Sequence, residues 1–229
     1  MTVSKQESFT VVIPTMWKIK YLFAELLTRL CDHELVEEVI IINNAVCDTP
    51  AFDILNNDKI NILNQGSNIY VNPSWNLGVL ESKCDKICIS NDDIIFDTTI
   101  FDILNPIINE DSPVYGLHTD HDNYFSDDKS SVYFSTWTGE FDPNGFGQLM
   151  FFHKDIWEPV PSGMKIWCGD YYIFNLGILK NKYPVLIRNL GWHTPKSVTS
   201  MTYTSEYWDN DHIAWKSWFV DKFNYWVDN

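Results

Sequence analysis

Two adjacent carboxylates, Asp92 and Asp93, follow the hydrophobic run 87–90 in the stretch ICISNDD. Neighbouring carboxylates repel, and at a strand end a hard divalent cation with oxygen ligands offsets that charge. On the dipeptide alone, a solvated Asx turn is the competing reading. Asp170, in Trp167-Cys168-Gly169-Asp170, lies beside aromatic residues. Partial desolvation there raises the basicity of a carboxylate. The same residue also suits the start of the helical stretch YYIFNLGILK as a cap. His193 stands in GWHTPKS, where a lone histidine is ordinarily a hydrogen-bonded residue. His118 and His121, flanked by Asp120 and Asp122, form a rival metal cluster or a polar loop over the site.

Other chemistries lack their anchors. The sequence has no Gly-x-x-x-x-Gly-Lys-Ser/Thr phosphate loop, and Gly145-Phe146-Gly147 lacks the third glycine and preceding strand of a dinucleotide fingerprint. Neither Gly-x-Ser-x-Gly nor His-Glu-x-x-His occurs.

The elements that must hold these residues are legible from hydrophobic period. FTVVIP (9–14) is a buried first strand, and Leu22, Phe23, Leu26, Leu27 and Leu30 then repeat at helical spacing. Val39 to Ile42 is a second strand ending in Asn43-Asn44, and Ile60 to Leu63 is a third, with its turn at Asn64-Gln65-Gly66. A helix opens near Ser74, and Ile87 to Ser90 is the fourth strand, running into the acidic pair. Strands alternating with helices, each strand ending in a polar cluster, predict a mainly parallel α/β sheet with its ligands at the carboxyl edge. The second half is richer in aromatics and less regular. At its end Trp215, Trp218, Phe219, Phe223 and Trp226 make one wide aromatic helix face. That helix either packs on the body or meets a partner or membrane surface.

The 229 residues fit one domain with a packed core. With 16 Lys plus Arg against 31 Asp plus Glu the formal net charge is -15, so long-range repulsion opposes non-specific binding of nucleic acid or anionic lipid. The densest basic stretch runs through Lys154, Lys165, Lys180, Lys182, Arg188 and Lys196, which leaves room for a local groove. Five cysteines without a Cys-x-x-Cys pair suit reduced, buried thiols, and no segment reads as a signal peptide or a transmembrane helix. The expectation is a cytoplasmic protein (host cytoplasm if viral) with no stable membrane insertion.

Taken in order, VVIPT, IIINN, Asn64-x-Gly66, Asn76-x-Gly78 and ICISNDD resemble the GT-A glycosyltransferases, especially the family-2-like enzymes, well over 9–97 and more weakly to about 200. The resemblance implies one GT-A-like domain over 1–229. Residues 1–97 form its nucleotide-sugar half, 98–200 its acceptor-side half and 201–229 a helical tail. It puts Pro14 and Thr15 beside the nucleotide base. Asn43 and Asn44 stand where the family commonly has acids, so a charge-assisted bond to base or ribose is replaced by neutral ones. Asn76 and Gly78 would face the donor, with a capped turn as the alternative, and Asp92 would lie near the ribose. The family's Asp-x-Asp is matched in part, because its first position is Asn91. Asp93 is the implied ligand of Mn²⁺ or Mg²⁺, with His193 as a further ligand.

Gly145-x-Gly147 with 149–152 resembles the family's acceptor-side strand. Trp167 to Asp170 resembles its aromatic-x-acidic-Asp segment with Gly169 in place of the first acid, and makes Asp170 the general base. The implied function is inverting, metal-dependent transfer from a nucleoside diphosphate sugar, UDP-linked foremost, to an acceptor hydroxyl. The Asn-, Ile-, Asp- and Tyr-rich usage looks like an AT-rich genome, and a small soluble enzyme of this type is similar to bacteriophage transferases that decorate hydroxymethylated pyrimidines in DNA. A glycan, lipid or protein acceptor stays open, as does a non-catalytic carbohydrate-binding or interaction module using the 10 Trp and 11 Tyr.

Overall fold

The computed structural model describes residues 7–46, 49–119, 132–138, 145–195 and 205–223. Its centre is an eight-stranded sheet. The strands are β1 (Phe9–Thr15), β2 (Val36–Asn43), β3 (Ile60–Asn64), β4 (Lys86–Ser90), β6 (Tyr115–Leu117), β7 (Tyr133–Thr136), β8 (Leu149–His153) and β9 (Val185–Arg188). They lie in the order β3-β2-β1-β4-β8-β6-β9-β7. A small second sheet pairs β5 (Ile95–Phe96) with β10 (Trp192–His193). The helices are α1 (Lys20–Asp32), α2 (Val71–Glu81), α3 (Ile100–Leu104), α4 (Gly169–Leu179) and α5 (Ser205–Phe223).

The first four strands are parallel, as their near-continuous apolar runs require of strands buried on both faces. The chain then returns antiparallel, β8 on β4 and β6 on β8. Alternation along each strand divides the core. Phe9, Val11 and Ile13 pack on one side with α1 and α3, while Val12, Ile40, Ile89 and Met150 pack on the other with α2 and α4.

Parallel register also aligns the strand ends. Thr15 stands opposite Asn43, and Asn43 opposite Asn64, so three polar residues form one row at the carboxyl edge. Asn91, just past β4, donates its backbone N–H to Gln148 O at 2.9 Å, which ties the acidic stretch to the start of β8.

The helix after β3 begins at Val71, earlier than the sequence pattern indicates, because Tyr70 adopts φ 70° and turns the chain sharply into it. The aromatic tail helix packs on the body: Trp215 meets Tyr171 at 5.5 Å and Trp218 meets Tyr172 at 4.7 Å between ring centroids. Trp226 lies outside the described residues. Among the described residues no helix is long and apolar enough to cross a membrane, and Cys31, Cys84, Cys88 and Cys168 are free and buried. Burial raises each of these thiols above its ordinary pKa, so they are poor nucleophiles.

Gly78 shows how closely α2 approaches the sheet: a Cβ there would fall 2.1 Å from Val12 Cγ1. Val12 is fully buried and has no room to move, so Gly78→Ala should destabilise the protein by about 1–3 kcal/mol in urea unfolding. Val12→Ala in that background should restore part of the loss. A Gly78→Ala protein as stable as the parent would contradict this packing.

Candidate functional site

The carboxyl edge of the parallel strands gathers most of the chemistry-bearing side chains. Thr15, closing β1, donates its hydroxyl to Asp92 Oδ2 at 2.5 Å and accepts from the Trp17 backbone N–H at 2.9 Å. Asp92 also accepts from the Met16 backbone N–H. These bonds favour its charged form, but desolvation outweighs them and, with Asp93 adding repulsion, pushes the Asp92 carboxyl up to about 6. Asp93 is buried, and its carbonyl accepts from Thr194 Oγ1 at 2.6 Å. The β5–β10 ladder sets His193 opposite Ile95, two residues beyond Asp93, so a residue 100 positions away in sequence is brought to the acidic strand end. Among the described residues, no group of three or more His, Cys, Asp or Glu is poised to hold a metal ion.

Asn43 and Asn44 sit at the expected edge with their side chains committed to protein. Asn43 Oδ1 accepts from the Trp17 indole at 2.7 Å and from Ala45 N at 3.0 Å, and its Nδ2 donates to Asn64 Oδ1 at 2.7 Å. Asn44 donates to Ser74 Oγ at 2.9 Å and accepts from Ile69 N at 3.1 Å, which joins β2 to the approach to α2. Pro14 is buried in β1 opposite Ile42. Asn76 forms a two-way bond with Val160, accepting at 2.8 Å and donating at 2.9 Å. Asn76 and Gly78 therefore have packing duties on α2.

Beside this row lies a cavity of about 210 Å³, lined by Trp75 of α2, Asn91, Gly147 and Gln148 before β8, and Trp167 and Asp170 at the start of α4, among others. Gln148 Oε1 and the indole nitrogens of Trp75 and Trp167 are buried with no hydrogen-bond partner among the described residues. Each such atom loses water on folding without compensation unless a ligand supplies a partner. Asp170 is the second residue of α4; the N-cap is Cys168, at φ 61°, so Asp170 is not the cap itself. Its Oδ1 accepts from Tyr171 N at 2.9 Å. A Cβ on Gly147 would come within 3.2 Å of Asp170 Oδ2, so the glycine keeps the carboxylate's surroundings open.

Of the rival histidine pair, only His118 lies within the described residues. His118 closes β6 against Arg188 Nη1 at 3.4 Å, a cationic neighbour unsuited to a metal ligand, and His121 lies outside the described residues. The residue that sequence reasoning missed is Asp211 of α5. It is 1% exposed, and its carboxylate accepts from the backbone N–H groups of Lys165, Ile166 and Trp167.

No protein-family model matches the chain, and no curated protein matches it. Solved structures of S. aureus TarS, a family-2-type glycosyltransferase, do share its fold. TarS 1–349 superposes with a TM-score of 0.57 at 11% identity, over 81% of this chain and 59% of that one. The same fragment with UDP-GlcNAc gives 0.56 at 12%, over 88% and 64%, and TarS itself 0.57 at 15%, over 93% and 43%. The chain thus spans about three fifths of the TarS 1–349 fragment. The fold expected from the sequence, a GT-A-like α/β sheet flanked by helices with an aromatic C-terminal helix, is the fold observed.

The elevated Asp92 pKa fixes a sign. The folded chain holds that proton more tightly than the unfolded one, so Asp92 lowers stability as pH climbs from about 4 to about 6, and the loss persists above. Asp92→Asn cannot ionise. In metal-free buffer its melting temperature relative to the parent should be higher at pH 7.5 than at pH 4.5 by about 2 °C or more, since ~1 kcal/mol corresponds to ~2–4 °C at this size. An equal difference at both pH values would show that Asp92 is not held above its ordinary range.

Proposed function

We propose that the protein is an inverting, metal-dependent glycosyltransferase that moves a sugar from a nucleoside diphosphate sugar, specifically a UDP-sugar, to an acceptor hydroxyl. The observation that carries this reading is the cavity whose lining includes both Asn91, the residue before the acidic pair, and Asp170. TarS, which shares the fold, has been crystallised with UDP and with UDP-GlcNAc, and this supports the donor class. The unpartnered Gln148 Oε1 and the Trp75 and Trp167 indoles suit a sugar, whose hydroxyls both donate and accept.

In this reading Asp170 takes the proton of the acceptor hydroxyl as its oxygen attacks the anomeric carbon. The bond from that carbon to the diphosphate breaks on the opposite face, which inverts the configuration. Pro14 and Thr15 border the base, Asn43 and Asn44 shape the wall beside it, and Asp92 lies toward the ribose. Asn76 and Gly78 hold α2 as the donor's further wall. Asp93 and His193 would hold Mn²⁺ or Mg²⁺. The β5–β10 ladder sets His193 opposite Ile95, two residues beyond Asp93, and a carboxylate with an imidazole is a suitable donor set for Mn²⁺. A bound cation would neutralise charge on the departing nucleoside diphosphate.

The acceptor is assigned only as a hydroxyl. Four basic side chains of the second half are engaged, Lys154 with the Leu80 and Ser82 carbonyls, Lys180 with Glu158, Lys182 with Asp111 and Arg188 with Ser135, while Lys196 lies outside the described residues. With a net charge of -15, these contacts give no support to a DNA acceptor.

Calorimetry should find UDP binding strengthened by Mn²⁺ and weakened at least tenfold by Asp93→Ala, with a smaller loss for His193→Ala because water replaces one neutral ligand. Equal affinity with Mn²⁺, with chelator and in Asp93→Ala would remove the metal from the proposal. Asp170→Asn keeps size and hydrogen-bonding capacity but cannot accept the proton. Sugar transfer should fall ~10²- to 10⁴-fold while melting temperature and UDP affinity stay near the parent's. Near-normal transfer by a folded Asp170→Asn protein would sink the mechanism, and UDP-sugar binding with no turnover in the parent would favour a binding module.

A further inference from the structure

Asp211 is an acid on the tail helix, far in sequence from every strand end, yet it is among the most buried charged residues described. Its Oδ1 accepts from Lys165 N at 3.0 Å, and its Oδ2 from Ile166 N at 2.7 Å and Trp167 N at 2.8 Å. Three successive amides thus converge on one carboxylate, as the backbone does around a bound anion. Hydrogen bonds to an ionised acceptor are about twice as strong as neutral ones.

The same segment is gripped from the opposite side. Asn72 of α2 donates its side chain to Met164 O at 3.2 Å and Trp167 O at 3.1 Å, and its backbone N–H to Lys165 O at 2.9 Å. The N–H groups of 165–167 therefore go to α5, and the carbonyls of 164, 165 and 167 go to α2. A Cβ on Gly169 would fall 2.2 Å from Asn72 Oδ1, so only glycine fits between this clamp and α4. Immediately beyond the clamp come Cys168, in the left-handed region at φ 61°, and then Asp170. A non-glycine residue at positive φ persists where its surroundings over-determine it.

The tail helix has other anchors. Trp208 meets Trp167 at 5.0 Å, the Tyr207 and Tyr70 hydroxyls lie 2.9 Å apart, and Trp215 and Trp218 pack on Tyr171 and Tyr172. Docking of α5 therefore does not depend on Asp211 alone, which leaves its carboxylate with the task of fixing 165–167.

We infer that Asp211 is a positioning residue: by holding the backbone of Lys165–Trp167 it sets the aim of the Asp170 carboxylate into the cavity, and so makes the tail helix part of the site. This inference rests on the assignment of Asp170 as the general base.

The test is a double-mutant cycle with Asp170→Asn and Asp211→Asn, following UDP release from UDP-GlcNAc and UDP-glucose with Mn²⁺, alongside UDP affinity. Asp211→Asn alone should lower kcat about 10- to 100-fold, the loss expected from a misplacement of about 1 Å, with UDP affinity within twofold of the parent. In the Asp170→Asn background the same change should lower kcat less than threefold, because its effect passes through the missing carboxylate. An undiminished kcat, or equal losses in both backgrounds, overturns the inference. Amide hydrogen exchange on the unmutated protein gives a second arm, independent of how the variant folds. The amides of 165–167 should exchange at least 100-fold more slowly than exposed loop amides, and fast exchange there overturns the inference as well. If the unmutated protein releases no UDP from either sugar while these amides are protected, the glycosyltransferase reading is what fails. The role of Asp211 in aiming Asp170 for sugar transfer is then overturned with it, and only its hold on the segment stands.

Discussion

The parallel pairing of β1 with both β2 and β4 is the constraint from which the rest of the site follows. Because all three strands run the same way, their carboxyl ends open on one edge, and the side chains there cannot be apolar without exposing a hydrophobic rim. Thr15, Asn43 and Asn64 align across that edge, and Asp92, just past β4, reaches back to Thr15. Holding β1 in the middle needs close layers above and below it. That is why α2 presents Gly78 to Val12, and why the apolar residues of β1 alternate between the two cores.

The second constraint is backbone strain at the points where the chain leaves this edge for a helix. Trp17 precedes α1, Tyr70 precedes α2 and Cys168 precedes α4, and all three are non-glycine residues at positive φ. Such conformations cost of order 1–3 kcal/mol each and persist only when local bonds fix them. Each has its holder: Trp17 through Thr15 and Asn43, Tyr70 through Asn68 Oδ1 at 2.8 Å and the hydroxyl of Tyr207, Cys168 through the clamp of Asn72 and Asp211. The asparagines at the edge therefore act first on the shape of the loops, and a ligand meets the surfaces those loops present.

What the sequence made legible follows from the range of the interactions. Buried parallel strands announce themselves as apolar runs, so β1 to β4 could be read locally and the polar residues ending them located the edge, whereas antiparallel β8 was reached only through the family resemblance over 149–152. β6, β7 and β9 are three or four residues long and owe their existence to partners far away, such as Tyr133 opposite Arg188, which no local period records. Asp211 was invisible for a related reason. In WDNDH it looks like any acid on a solvated helix, and only three backbone amides some 45 positions earlier distinguish it from Asp209. The commitment of Asn43 and Asn44 to internal bonds was hidden too, since an amide at a strand end serves a ligand or a loop with the same chemistry.

Electrostatics links the edge to the proposed reaction. A protein of formal charge -15 whose strand end carries Asp92 and Asp93 repels a nucleoside diphosphate at long range, and desolvation at the edge strengthens that repulsion at short range. Two arrangements resolve it: cationic side chains in the cleft, or a metal ion between the two sets of oxygens. None of the described residues lining the cavity is Lys, Arg or His, and the nearby Lys165 stacks over the Tyr70 ring at 5.1 Å. Among the described residues the cavity wall offers no cationic side chain, and the proposed mechanism assigns that task to a metal ion. The same reasoning separates the two carboxylates by task. In the proposed mechanism Asp93, beside a second acid at a strand end, would gain most from a cation, while Asp170, among aromatic rings, would exchange a proton with the acceptor hydroxyl.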